Sequence, residues 1–184
     1  MFMSCGSDSG NTPEQSSAEE LTTSGWLNFE AGEYQTALQK FENAIQVDNN
    51  YIDAYNGAGW SQGRLLNLNE AISNFLHCRD LDSLFTDASA GLAFVYNAQK
   101  NYQSAISHAN KTLSQNSQWD FKHDSQLDFK DIHLLLAECY FAILDFESSL
   151  AQVQILNPDF NADLFTFEGR SALAAEIERL RGVI

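Results

Sequence analysis

Small and large apolar residues recur along this chain at fixed spacing. Glycine or alanine stands at Gly25, Gly59, Ala93 and Ala137, and a second small set comprises Ala37, Ala71, Ala105 and Ser149. Three residues before each member of the second set comes a large apolar side chain: Tyr34, Leu68, Tyr102 or Phe146. Residues three apart share one face of a helix, so the pattern predicts helices that approach closely where side chains are small. Three segments beginning at Ala18, Ile52 and Thr86 carry it at a strict 34-residue period. A fourth begins near Lys130, ten residues later than that period requires. Pro13 and Pro158, the only prolines, flank the whole region and leave it free of helix breakers.

The turns inside each pair of helices are also legible: Ala31-Gly32-Glu33-Tyr34, Leu66-Asn67-Leu68, Lys100-Asn101-Tyr102 and Leu144-Asp145-Phe146. Gly and Asn suit the left-handed backbone that closes a helix, and an acid suits the start of the next one. Ser17-Ala18-Glu19-Glu20 has capping-box spacing and marks where order begins. Pro158 comes early in the fourth unit, so its second helix is expected to be short. A closing helix is predicted over Ser171 to Arg181. Leu173, Ile177 and Leu180 form its apolar stripe, with Glu176, Glu178, Arg179 and Arg181 facing water.

On these residues the chain resembles the tetratricopeptide repeat family. Gly25, Gly32-Glu33-Tyr34, Ala37, Phe41 and Ala44 carry the resemblance in the first unit, and Gly59, Ala71 and Phe75 in the second. The later units depart from it, with Ala109 and Val153 where Phe41 and Phe75 stand. The aromatic usual at the fourth place occurs only as Tyr55, against Leu21, Ser89 and His133. The resemblance implies an all-α, right-handed α-solenoid of helical hairpins with a C-terminal cap. Its units would span 18–51, 52–85, 86–119 and 130–160, with an insert at 120–129 and a capping segment at 161–184. One hairpin cannot bury its apolar face alone, so about three or more must stack.

Charge narrows the partners. The net charge of −15 repels phosphate backbones and anionic lipid, which excludes nucleic acid as a partner class and favours basic ones. The same surface also suits a salty habitat. No apolar run is long enough to span a membrane. Cys5, Cys78 and Cys139 match neither a zinc site nor a redox pair, and the latter two fall within helices, where they are expected to be buried.

Residues 1–16 read as a small, polar tether. Met1-Phe2-Met3-Ser4-Cys5-Gly6 resembles the cleavage site of a bacterial lipoprotein. That resemblance implies a lipid anchor on Cys5, a place in the cell envelope or periplasm, and no other contact with membrane. The charged segment and apolar core of a signal peptide are missing, and an ordinary polar tail on a cytoplasmic protein is the other reading.

In the family, the first helices of successive units line a concave groove, with places two, five, nine and twelve facing inwards. Carried over, place two gives Glu19, Asp53, Asp87 and Asp131, place nine gives Trp26, Trp60 and Phe94, and place twelve gives Phe29. These are the expected partner-binding residues. Aromatic anchors beside carboxylates would select apolar and basic segments of a protein or peptide. An acid in the first turn is also favoured by the helix dipole with no ligand, and Trp26 and Trp60 also suit packing between units. Gripping a C-terminal carboxylate is disfavoured, because the inward places offer only Arg64.

The insert mixes aromatics with charge from Gln118 to Lys130. Trp119 and Phe121 are expected to plug the gap between units three and four; the alternative is a projection that modifies the binding surface. A divalent-metal cluster of His123, Asp124, Asp128 and His133 is a further alternative, although no zinc-protease or calcium-loop spacing is present. There is no nucleophile elbow and no phosphate-cradling loop. Catalysis finds no support and no cofactor is implied. The expected function is a non-catalytic adaptor or scaffold. The alternative is a permanent structural subunit of a larger assembly.

Overall fold

The computed structural model describes residues 16–184, and among them the chain forms nine helices. Four hairpins pair α1 (Ala18–Glu30) with α2 (Tyr34–Val47), α3 (Ile52–Arg64) with α4 (Leu68–Leu81), α5 (Thr86–Ala98) with α6 (Tyr102–Gln115), and α7 (Phe129–Ala142) with α8 (Phe146–Leu156). A ninth helix, α9 (Phe167–Arg181), closes the stack against α7 and α8. The period seen in the sequence sets the first three helix starts without adjustment. Ser17 accepts from the Glu20 backbone while the Glu20 carboxylate accepts from the Ser17 backbone, so the expected capping box opens α1.

Stacking rests on phenylalanines of the second helices wedged against glycines of the first. A Cβ added at Gly25 would lie 2.7 Å from the Phe41 ring, and one at Gly57 only 2.3 Å. Phe75 repeats the arrangement, 2.6 Å from a Cβ at Gly59 and 2.3 Å from one at Gly91. Both rings are completely buried. In the next unit the large residue becomes Ala109, and the glycines give way to the buried Ala93 and Leu135. Volume is exchanged across the interface rather than lost.

The turn chemistry matches the sequence expectation at Gly32 and differs from it by one residue at the two asparagine turns. The left-handed positions are Gly32, Leu66, Lys100 and Leu144, with φ of 78°, 63°, 59° and 65°. The asparagines one place later do not supply that backbone. Asn101 instead caps α6, accepting from Ser104, and Asp145 caps α8 in the same way.

α8 has 11 residues against 14 in α2, α4 and α6, the shortening that Pro158 predicts. α9 begins four residues before the expected Ser171, capped by Thr166. Leu173, Ile177 and Leu180 pack into a second core with Leu134 and Val153. Glu176 departs from expectation: it is buried, not facing water. Its carboxylate accepts from Asn157 at 2.8 Å and from two Arg179 nitrogens, which ties the end of α8 to α9. Cys78 and Cys139 are fully buried, and burial pushes the Cys139 thiol up to about 12. Both stay protonated and inert.

Candidate protein-binding groove

The first helices α1, α3 and α5 lie side by side, and the face they share carries Trp26, Trp60 and Phe94 in register. It is not open. Residues 119–123 cross it from α5 over α3 to α1, irregular up to Phe121 and then turning, where the Asp124 N–H donates to the Phe121 carbonyl at 3.0 Å. Trp119 reaches α5, where its indole N–H donates to Asp87 at 2.8 Å. Phe121 lies nearly parallel to Trp60, with centroids 4.2 Å apart, and edge-on to Trp26 and Phe29. His123 stacks on Trp26 at 3.6 Å with the planes only 2° apart, and its Nδ1 donates to Glu30 at 2.8 Å. Asp124 then pairs with Arg64 of α3. Asp120 and Lys122, the intervening residues, are exposed. Side chains 119, 121 and 123 are therefore turned to the groove, and 120 and 122 to water.

The chain then turns back. Phe121 donates its N–H to Leu127 and Leu127 donates to Asp124, and Asp120 pairs with Asp128 in a single antiparallel bridge. Asp128 and Asp131 form a capping box at the start of α7. The ten extra residues are therefore a short hairpin folded over the repeats.

This placement changes the reading of every expected site residue. Trp26, Phe29 and Trp60 meet the insert on this face and are 4%, 3% and 6% exposed. Phe94 is half-buried beside Trp119. Glu19 alone of the acidic row is fully open. Asp53 accepts from the Trp26 indole at 3.0 Å, Asp87 accepts from Trp119, and Asp131 is committed to the α7 cap. Burial raises the Asp87 and Asp131 carboxyls above their ordinary value; at Asp87 the Trp119 N–H and the Lys122 charge oppose it. Burial also lowers His123 below the usual imidazole range, with the Glu30 bond opposing. Cys5 lies outside the described residues.

Trp119 and Phe121 were expected between units three and four. They pack instead on the first three units, against the rings of Trp26, Phe29, Trp60 and Phe94. The four residues of the metal alternative are also kept apart. His123 engages Glu30, Asp124 engages Arg64, Asp128 caps α7, and His133 bonds to Gln152 of α8. The period-two run Trp119, Phe121, His123 was the available signal for an extended segment with one buried face.

The insert leaves some of the groove's capacity unused. The Trp60 indole N–H has no partner among the described residues, nor do the Asn56 amide and the Thr22 hydroxyl, although both of the latter residues are fully buried. Asn56 lies one helical turn before Trp60, and Thr22 one turn before Trp26, so each shares a face with its tryptophan. Beside Trp60, beneath Leu127, lies a largely apolar cavity of about 210 Å³ between α3 and α5. No described helix is long and apolar enough to cross a membrane.

No family model and no curated protein sequence matches the chain. Solved structures do resemble it. The crystal structure of MamA superposes with a TM-score of 0.64 at 15% identity, over 88% of this chain and 79% of that one. PilW, described as a widely conserved type IV pilus biogenesis factor, gives 0.65 at 17% identity over 85% and 67%. The first tetratricopeptide-repeat domain of human RPAP3 gives 0.55 at 18% identity over 66% and 94%. At these identities the likeness establishes the fold, an all-helical tetratricopeptide-type repeat array.

Proposed function

We propose that this tetratricopeptide-type array is a non-catalytic scaffold that holds an extended segment of another protein against the inner face of its first helices. The fold alone assigns no function, so the argument rests on the surface. The observation that carries it is the seating of residues 119–123, a non-helical segment held at every second side chain by aromatic rings and carboxylates. A surface that orders one such segment has the chemistry to order another. Aromatic floors provide the area, and carboxylates at Asp53, Asp87 and Glu30 favour apolar segments bearing N–H or cationic groups.

We extend the proposal to a tether in the bacterial cell envelope through an acyl group on Cys5. Its support is the sequence Ser4-Cys5-Gly6 followed by small polar residues. Two acyl chains anchor a protein stably where one does not. Acyl labelling of the full gene product tests it, and label absent from Cys5 removes the tether.

Amine-reactive cross-linking of the full chain to its partners tests the groove. Lys122 and Lys130 belong to the insert and its exit, whereas Lys40 and Lys111 sit on the second helices α2 and α6. Partner peptides joined mainly to Lys122 and Lys130 support the inner face. Joined mainly to Lys40 and Lys111, they contradict it.

A permanent structural subunit is the second reading, favoured by one observation. Leu144, Phe165 and Phe167 are 71%, 93% and 73% exposed at the fourth-unit end of the array. Exposed apolar clusters of this kind mark contact surfaces. A purified chain that is monomeric and monodisperse counts against this reading.

A further inference from the structure

We infer that residues 119–124 are an intramolecular stand-in for the partner segment, and that the groove's external ligand is a protein segment bearing three planar side chains at alternate positions. This rests on the groove reading above and specifies its ligand. The stand-in itself dictates the chemistry of each position. The first anchor is an aromatic with an N–H donor, because Asp87 accepts from the Trp119 indole at 2.8 Å. The middle anchor is a plain aromatic ring, because Phe121 stacks on Trp60 between the edges of Trp26 and Phe29. The last is a flat heterocycle or guanidinium with a donor, because His123 lies flat on Trp26 and bonds to Glu30. Spacing follows from the contacts themselves, in which residues 119, 121 and 123 meet α5, α3 and α1 in turn.

The incumbent fits imperfectly, and that makes exchange favourable for a better ligand. Among the described residues, the indole N–H of Trp60 and both polar atoms of the Asn56 side chain have no partner on the same face of α3. The cavity under Leu127 remains unfilled. A buried donor or acceptor left unmade is costly, so a strand supplying an acceptor to Trp60 and a larger apolar side chain to the cavity gains what the insert forgoes. The insert is also joined to the stack at both ends, by α6 and α7, so it can leave the groove without unfolding either hairpin. Access is then competitive: the ligand's apparent affinity is reduced by the fraction of chains whose insert is out.

The experiment compares the full chain with a Trp119→Ser, Phe121→Ser double variant, which removes the anchors and leaves the floor intact. The probe is a labelled synthetic peptide of residues 117–126, with a control peptide carrying serine at both aromatic positions. The expected result is a helical variant that binds the probe at least about tenfold more tightly than the native chain does, while the control peptide binds neither. A helical variant that binds the probe no better than the native chain overturns the inference. To keep a folding failure informative, the milder Phe121→Leu variant is measured in parallel. If both variants lose their helices, the insert is a structural staple and the inference falls. A random peptide library displayed against the double variant separates the two claims. Selected strands lacking alternate planar residues refute the stand-in and leave the groove standing, whereas no selected strand at all refutes both.

Discussion

Phe121 of the insert lies over Trp60 of α3, with ring centroids 4.2 Å apart and planes 26° from parallel. The two residues are separated by most of two repeat units in sequence, and each is nearly inaccessible because of the other. Phe121 is 1% exposed and Trp60 6%.

Truncation along the insert should therefore alternate. Phe121→Ala removes a buried ring from the centre of an aromatic cluster and should lower unfolding free energy by about 3–5 kcal/mol. The adjacent Lys122→Ala faces water and should stay within about 0.5 kcal/mol of the native chain. Urea denaturation measures both, and equal effects would refute the alternating burial.

The Phe41 wedge makes a second contrast. Gly57→Ala forces a methyl group against the Phe41 ring, and should cost about 1–3 kcal/mol in thermal unfolding. Gly63 lies in the same helix, but a Cβ there meets only Val95, at an ordinary 3.7 Å. Gly63→Ala should stabilise by about 0.5–1 kcal/mol, the ordinary gain of alanine over glycine in a helix.

Left-handed backbone at Leu66 gives a third prediction. Leu66 has φ of 63° and is 77% exposed, so glycine loses little packing there and relieves the strain. Leu66→Gly should raise stability by up to about 1 kcal/mol, the left-handed penalty less the extra entropy that glycine loses on folding. Differential scanning calorimetry reads this directly.

Much of this fold was legible before any coordinates, and the particular residues explain why. Gly25, Gly59, Ala37 and Ala71 mark close helix contacts that depend only on local spacing, so period and register could be read along the chain. Gly57 and Gly91 escaped notice because their necessity comes from Phe41 and Phe75 on neighbouring helices, a relation set by stacking. The insert's position was illegible for a related reason. Its ten residues carry no helical period, and their partners Trp26, Trp60 and Asp87 lie in three different units. The family resemblance assigned aromatics and acids to the inner face. What it could not supply was that Trp119, Phe121 and His123 already use them. Glu176 shows the same limit, since it reads as a solvent-facing acid until Asn157 and Arg179 are brought against it.

The Asp87–Trp119 bond carries a pH signature. Burial raises the Asp87 carboxyl above its ordinary 3.8, so the folded chain holds this proton more readily than the unfolded chain does. Its contribution is then greatest below the unfolded value and is lost as pH rises through the raised one. Asp87→Asn keeps an oxygen to accept from Trp119 and removes the buried charge. The variant should melt above the native chain near pH 7, with the gap closing as the pH approaches about 4. A gap that widened on acidification would reverse the assignment.

The stacking of His123 on Trp26 exists only if the insert lies across the repeats, because 97 residues of chain separate the two. Nuclear Overhauser contacts between the imidazole protons of His123 and the indole protons of Trp26, measured on the full chain, probe it directly. The account predicts strong cross-peaks together with upfield-shifted imidazole resonances. Random-coil shifts for residues 119–124 and no such cross-peaks would contradict it.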